Sequence, residues 1–266
     1  MTRGLLLVSL AAGALAVPLP ASSAATDLAI REITVRPADP VVRPSGSVRL
    51  VIDVIAQGVA GKDGVTIKVE PGAPPSSVPS ATPAPAPSAS PGSGLRVAAP
   101  PALRMARAVP GAEMQADEWE TWRFLPEKGL NRFYPAGAWT ITATAKGADG
   151  QTVTKYTSFQ LRRETRLTSV RVGKARTAQG VRLRGSLNKV DPSGYSDYVP
   201  FGGQTVEILY RKETTDSWDL AGTTVTKSTG AFGRTIQGRP GGYWRLRFPG
   251  TAHYASKISS IRKIGD

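Results

Sequence analysis

Two stretches of this sequence decide its fold: Thr205-Val-Glu-Ile-Leu-Tyr-Arg211 and Gly242-Tyr-Trp-Arg-Leu-Arg-Phe248. In each, apolar or aromatic residues occupy every second position, and the positions between them include charged residues: Glu207 in the first stretch and Arg245 and Arg247 in the second. Side chains of a β-strand point alternately to its two faces, so this period of two predicts two half-buried strands. We therefore expect Trp244 to face a core, with Arg245 and Arg247 on the opposite face.

The same period extends through the C-terminal part of the chain. About seven short alternating stretches occur within about 100 residues, separated by turns rich in Gly, Pro and Asp. Helical periodicity does not compete clearly anywhere after the N-terminal segment. This pattern is typical of an immunoglobulin-like β-sandwich, which we place at residues 166–266.

A first immunoglobulin-like sandwich is predicted at residues 26–165. Alternation over 48–55 and over 65–70 indicates two strands, and further strands follow after Asp117. Because Asp63-Gly64 is a typical turn of a β-hairpin, the first two of these strands are expected to pair with each other.

A stretch without strand character interrupts the first domain. Residues 71–94 consist of Pro, Ala, Ser, Gly, Thr and Val, which cannot bury enough apolar surface to offset the cost of ordering. With the arginine- and proline-bearing residues that follow, they predict a long Pro/Ala/Ser-rich disordered insertion over 71–112. A linker between two domains is the alternative, but each side alone holds too few strands to be stable. The predicted fold class is therefore all-β, with two immunoglobulin-like β-sandwich domains.

Residues 1–25 have the features of a signal peptide. Arg3 precedes an apolar run over 4–17, and small residues follow, with cleavage expected after Ala24 or Ala25. The run is shorter than the roughly 20 residues that cross a bilayer, which favours a signal over an anchor helix. No later stretch is apolar enough to span a membrane, and the absence of cysteine excludes disulfides and a thiol nucleophile. We expect a secreted protein, extracellular or associated with the cell wall.

Motifs of the second domain resemble a bacterial immunoglobulin-like repeat of secreted actinobacterial proteins. The resemblance lies in Val199-Pro-Phe-Gly-Gly-Gln-Thr-Val-Glu-Ile-Leu-Tyr-Arg211, Ser217-Trp218, Ser228-Thr-Gly-Ala-Phe232 and Gly242-Tyr-Trp-Arg-Leu-Arg-Phe-Pro-Gly250. Trp244 departs from it, because the repeat usually places arginine directly after the tyrosine. In the first domain, Arg132-Phe-Tyr-Pro-Ala-Gly-Ala-Trp139 and 150–159 resemble the last strands of a related extracellular domain. The resemblance implies fold and little function, since these families are largely uncharacterised.

Basic charge is concentrated in the second domain. From Arg166 to the end there are 17 lysines and arginines and 7 acidic residues, which supplies +10 of the net charge of +14. Basic stripes concentrate polyanions, and those outside a cell include wall teichoic acids, acidic glycans, anionic lipid and released DNA. A generic basic surface that keeps the protein soluble is the alternative. Six arginines on outward strand phases are the candidate anion-binding residues: Arg171, Arg182, Arg184, Arg211, Arg245 and Arg247.

Catalytic and metal sites have weaker support. Asp191 and Asp197 could offer oxygens to calcium, but their segment lacks the length and the final acid of an EF-hand loop, so a plain turn is favoured. His253 is the only histidine and has no acid close to it in the sequence, which argues against a catalytic triad. Glycosidases use a pair of carboxylates, which Glu118, Glu120 and Glu127 could provide. An exposed strand face is the simpler interpretation of these three residues. We predict no catalytic residue, no metal and no cofactor.

The aromatic residues suggest a second hypothesis. Trp139, Trp218 and Trp244 fall on apolar phases and are expected in the core, whereas three tyrosines are the better candidates for exposed stacking groups: Tyr198, Tyr243 and Tyr254. Exposed aromatics would suit a carbohydrate-binding or enzyme-accessory module.

The sequence thus predicts a non-enzymatic binding or structural protein at the cell envelope. Its second domain is expected to contact a cell-wall polyanion or glycan, and no nucleic-acid motif is present. The alternatives are the carbohydrate-binding or accessory module and, with less support, a calcium-binding protein.

Overall fold

The computed structural model describes residues 27–75, 109–110, 119–175, 180–239 and 241–265, and these residues are all-β. No helix among them is long and apolar enough to cross a membrane. The predicted signal peptide, residues 1–25, lies outside the described residues. The strands are β1 (Ala29–Arg36), β2 (Val41–Val42), β3 (Val51–Gln57), β4 (Val65–Pro71), β5 (Val109–Pro110), β6 (Glu120–Phe124), β7 (Gly137–Lys146), β8 (Thr152–Arg163), β9 (Thr165–Lys174), β10 (Gly180–Val190), β11 (Tyr198–Pro200), β12 (Thr205–Arg211), β13 (Asp219–Val225), β14 (Ala231–Gln237), β15 (Gly242–Phe248), β16 (Lys257–Ile258) and β17 (Arg262–Ile264).

The first domain is an immunoglobulin-like sandwich of two sheets. Sheet I has the antiparallel order β1-β3-β6-β5. Sheet II has the order β2-β8-β7-β4, in which β2 runs parallel to β8 and the other neighbours are antiparallel. Their inner faces share one core, which includes Ile52, Trp122, Trp139 and Phe159. Trp139 is buried as predicted, because every second side chain of β7 points toward the opposite sheet.

Strands from both sides of residues 76–118 pair within the same sheets. β3 and β4 precede this segment and pair with β6 and β7, respectively, which follow it. This is the arrangement of an insertion within one sandwich, and it excludes a linker between two domains. Two parts of the predicted range 71–112 are paired strand: β4 extends to Pro71, and β5 pairs with β6. The remainder of that range from residue 76 onward lies outside the described residues.

The predicted hairpin at Asp63-Gly64 is wrong. β3 pairs with β1 and β6 in sheet I, whereas β4 pairs with β7 in sheet II. The tight turn does form, since the Gly64 N–H donates to the Gly61 carbonyl at 3.3 Å, but it carries the chain from one sheet to the other. A turn motif is local, whereas the partner of a strand is decided by which face the core covers.

The second domain is also an immunoglobulin-like sandwich. In sheet III, β10 is central, with β9 on one side and with β14 and β11 on the other. Sheet IV has the order β13-β12-β15, with β16 and β17 on the far side of β15. The core between these sheets includes Leu183, Ile208, Phe232 and Trp244. Trp244 is fully buried, as the alternation in its strand predicts.

The turn before β14 explains one glycine of the repeat motif. Gly230 has a φ of +75°, which L side chains rarely adopt. A Cβ at this position would lie 2.4 Å from the carbonyl oxygen of Leu187, and the Gly230 carbonyl accepts a hydrogen bond from the Leu187 N–H at 2.9 Å. The turn therefore packs its backbone directly against β10, which requires glycine.

A single residue connects the two domains, because β8 ends at Arg163 and β9 begins at Thr165. The Arg163 N–H donates to the His253 carbonyl, and the Ala255 N–H donates to the Arg163 carbonyl, both at 2.9 Å. The Thr165 hydroxyl is buried and donates to the Ala255 carbonyl at 2.9 Å. The end of the first domain is therefore hydrogen-bonded to the segment before β16, next to the boundary that we propose at 165/166.

Candidate functional site

The outer face of sheet III carries three neighbouring arginines. Val181 and Leu183 point into the core, so Arg182 and Arg184 point outward, and both are exposed. Arg171 on β9 lies directly opposite Arg184 in the strand register. We call these three residues the arginine face. The structure thus brings together three of the six candidate arginines, on neighbouring strands as the sequence predicts.

No carboxylate neutralises the arginine face within the described part of the chain. The strands β9, β10 and β14 contain no Asp or Glu. None of the three arginines forms an ion pair or donates a hydrogen bond to a described protein group. A guanidinium is always protonated in proteins, so three positive charges face solvent, and no described group accepts their hydrogen bonds.

A groove borders the arginine face on the side of β9. It has a volume of about 640 Å³, and its lining includes Arg171, Gly173, Lys174, Arg182 and Arg184. Gly173 lies directly opposite Arg182, and nothing lies within 4 Å of the position that a Cβ would take there. The missing side chain opens the floor of the groove next to the guanidinium groups.

A second groove lies on the side of β14 and has a volume of about 430 Å³. Gly233, opposite Arg184, provides its floor, and Lys227 and Arg234 add positive charge to its lining. Arg234 also donates to the Thr223 carbonyl on the edge of the other sheet. Sequence reasoning did not select Lys227 or Arg234, because their proximity to Arg184 follows from the long-range pairing of β10 with β14.

The other three candidate arginines lie on the outer face of sheet IV. Arg247 forms an ion pair with Glu207, its direct partner across the strands, and the hydrogen bond from Arg247 to this carboxylate raises the pKa of the guanidinium. Arg211 and Arg245 form no ion pair within the described residues. Their guanidinium carbons lie 4.6 and 4.0 Å from the ring centroid of Trp218. Arg247 is therefore neutralised, whereas the other two are not.

Trp218 does not lie in the core, contrary to the prediction. It is half-buried and rests on the outer face of sheet IV, against Arg211 and Arg245. Trp218 precedes the first residue of β13, so the alternation of a strand does not apply to it. The pattern that correctly placed Trp139 and Trp244 fails here because this tryptophan belongs to a loop.

Of the two weak calcium candidates, Asp191 holds a loop together. Asp191 is buried, and its carboxylate oxygens accept backbone N–H groups from Ser193 at 2.9 Å and from Ser196 at 3.0 Å. These hydrogen bonds, first that from Ser196, lower the pKa of Asp191 below its usual range. Asp197 is exposed and lies 4.0 Å from Arg132. Within the described chain, no three His, Asp or Glu side chains gather as metal ligands would.

Replacing Asp191 by alanine is expected to destabilise the second domain at neutral pH. Two backbone N–H groups would lose their acceptor, and the loop over 192–197 would loosen. Because the folded-state pKa is lowered, the stabilisation is present above the usual aspartate pKa and is lost as the pH falls through the folded value. Urea unfolding at pH 7 and at pH 2.5 measures it, and Asp197→Ala is the control. A loss of equal size at both pH values would contradict this role.

The three tyrosines predicted to be exposed are all half-buried. The Tyr198 hydroxyl donates to a Glu164 carboxylate oxygen at 2.6 Å, and burial, with this acceptor, raises the tyrosine pKa. Tyr254 packs on Phe201 with ring centroids 4.6 Å apart. Tyr243 lies on the outer face of sheet IV, the face that also holds Trp218. Tyr198 and Tyr254 therefore serve packing, and Tyr243 is the one of the three that lies beside Trp218.

The remaining candidates lie apart from one another. His253 is exposed at the domain connection, where its carbonyl accepts the Arg163 N–H. Glu120 is half-buried in β6, Glu127 is exposed in the segment after that strand, and Glu118 lies outside the described residues.

Neither a family model nor a curated protein matches this chain. Among solved structures it is similar to a tetra-tandem repeat in the extending region of a large adhesion protein, with 16% identity and a TM-score of 0.29, over 88% of this chain and 49% of that one. It is also similar to dimeric latent PorU from Porphyromonas gingivalis, with 11% identity and a TM-score of 0.30, over 93% of this chain and 21% of that one. For the D00-D0 domain of intimin the identity is 9% and the TM-score 0.26, over 88% of this chain and 100% of that one. The chain thus spans half or less of the first two. TM-scores this low do not support a function, and the fold stands on the sheets and cores described above.

Proposed function

We propose that this protein is a secreted, non-enzymatic binding or structural protein of the cell envelope, whose second domain binds anionic polymers through the arginine face. The observation that supports this most directly is the register of β9 and β10, which places Arg171 beside Arg184 without a neutralising acid among the described residues. Like charges held together repel one another, and a bound polyanion relieves that repulsion.

The chemistry of the face suits a repeating anion. Guanidinium groups bind carboxylate or phosphate oxygens through two parallel hydrogen bonds, and those of the arginine face have no competing acceptor among the residues that the structure describes. The two grooves give a flexible chain a path on either side of Arg182 and Arg184. If residues 1–25 direct export, the polymers that this face meets are acidic wall polymers and glycans.

The double variant Arg182→Glu/Arg184→Glu is expected to bind inorganic polyphosphate at least about tenfold more weakly than the native chain. Reversal replaces attraction by repulsion at the centre of the face. Isothermal titration calorimetry of the full chain measures the effect. The matched control is Arg43→Glu/Arg49→Glu, which changes the charge equally at two exposed arginines of the first domain.

Two outcomes would contradict the proposal. The first is that the control weakens polyphosphate binding as much as the double variant does, which would show that only net charge matters. The second is that polyphosphate binding is unchanged in high salt, because exposed charges are then screened.

A further inference from the structure

Cationic and aromatic side chains contact one another on the outer face of sheet IV. We call this group the Trp218 ladder, and its members are Arg211, Trp218, Tyr243, Arg245 and Lys263. Each cation lies 4.0–5.5 Å from the centroid of a neighbouring ring. The ladder draws on β12, β15 and β17 and on the loop before β13, so the fold assembles it from four separate places in the sequence.

A buried residue outside the main core lies next to the ladder in the strand register. Leu209 lies on the outward phase of β12, directly opposite Arg245, yet it is only 4% exposed and does not belong to the core cluster between the sheets. The ring of Trp218 lies against the guanidinium groups of Arg245, the strand partner of Leu209, and of Arg211. These contacts hold the indole in place before any ligand arrives, which lowers the entropy cost of binding.

The charges of the ladder are not neutralised within the described chain. Glu207 forms an ion pair with Arg247. No ion pair with a described residue is formed by Arg211, Arg245 or Lys263. The Nε atoms of Arg211 and Arg245 are buried without an acceptor. Burial, and then the positive charges of Arg211 and Arg247, lower the pKa of Arg245. An anion placed here would relieve repulsion that the folded protein otherwise bears.

We infer that the Trp218 ladder is a second binding site, which takes a carboxylated saccharide. The sugar carboxylate would bind the guanidinium edges of Arg211 and Arg245, and the apolar face of the ring would lie on Trp218 and Tyr243. Guanidinium groups that stack on an aromatic ring keep their in-plane N–H groups directed sideways, where a carboxylate meets two of them. A phosphodiester has the charge but no apolar face, so it would gain little from the indole. The inference extends the proposed function to another face and does not depend on the arginine face.

Trigalacturonate is the probe, titrated calorimetrically into the full chain. Trp218→Ala is expected to weaken its binding at least about tenfold, because both the stacking surface and the support of the two arginines are lost. Arg211→Gln/Arg245→Gln keeps the indole and is expected to weaken binding to a similar degree. The matched control is Trp119→Ala, which removes an indole of the first domain that lies 5.8 Å from Arg31; its effect should stay within about twofold.

The inference fails if both ladder variants bind trigalacturonate as the native chain does, or if Trp119→Ala weakens it equally. Circular dichroism shows whether each variant is folded. If Trp218→Ala is unfolded, Arg211→Gln/Arg245→Gln still tests the site. Polyphosphate separates this inference from the proposed function. Loss of polyphosphate binding only in Arg182→Glu/Arg184→Glu, with loss of trigalacturonate binding only in the ladder variants, supports both. Trigalacturonate binding that depends on Arg182 and Arg184 instead overturns the ladder site and leaves the arginine face standing.

Discussion

Replacing Trp244 by alanine is expected to lower the free energy of unfolding of the second domain by about 3–5 kcal/mol. The indole is fully buried between sheets III and IV, with Tyr210 packed against it at 4.8 Å between ring centroids. Paired strands on both sides cannot move in to fill the space, so the truncation leaves a cavity. Domains of this size are stable by about 5–15 kcal/mol, so the loss is a large share of the total. Urea unfolding followed by circular dichroism measures it.

Two comparisons make this prediction specific. Trp244→Phe should cost less, because the indole N–H has no acceptor among the described residues and phenylalanine removes that buried donor. Trp218→Ala should cost less than about 1.5 kcal/mol, since Trp218 is half-buried on an outer face. Equal losses at Trp218 and Trp244 would contradict the assignment of one to the core and the other to the surface.

These two tryptophans show what alternation in the sequence can predict. Trp244 lies within seven consecutive residues of one strand, and its neighbours Arg245 and Arg247 confirm the phase. The same reasoning places Arg182 and Arg184 outward on β10. Periodicity works at these positions because backbone pairing on both sides keeps each strand extended.

Features that depend on strand pairing could not be predicted in this way. The arginine face joins β9 and β10, which are consecutive, so it was within reach, whereas Lys227 reaches the second groove through the pairing of β10 with β14. The ladder requires a loop residue, Trp218, to lie against Arg211 and Arg245 on the outer face of sheet IV. A sequence pattern assigns a residue to a face of its own strand, and it does not say which loop covers that face.

The two proposed binding faces point in opposite directions. Sheets III and IV form the two layers of one sandwich, so their outer faces lie on opposite sides of the second domain. The arginine face has exposed guanidinium groups beside two grooves, whereas the ladder has cationic groups next to aromatic rings. If both proposals are correct, the second domain offers separate faces for two anionic chains.

The direction of these faces relative to the first domain depends on contacts at the domain connection. Besides the hydrogen bonds of Arg163 and Thr165, the Arg132 guanidinium donates to the Ser196 carbonyl at 2.9 Å, and the Glu164 carbonyl accepts the Val190 N–H at 3.1 Å. Each hydrogen bond contributes only about 1 kcal/mol. They act together because a connection of one residue leaves the domains little freedom to separate.

Inserting Gly-Ser-Gly-Ser after Glu164 is therefore expected to uncouple the two domains. The insertion adds flexible chain and separates Glu164 from Thr165, so the few remaining contacts must compete with the entropy of a free linker. The rotational correlation time of each domain, measured by ¹⁵N relaxation, should fall to roughly half of its value in the native chain, in which both domains should share one value. The same insertion after Asp149, in the exposed hairpin turn between β7 and β8, is the control and should leave both values shared. A single shared correlation time after insertion at Glu164 would show that lateral contacts alone fix the second domain. The short connection would then have no part in directing its two faces.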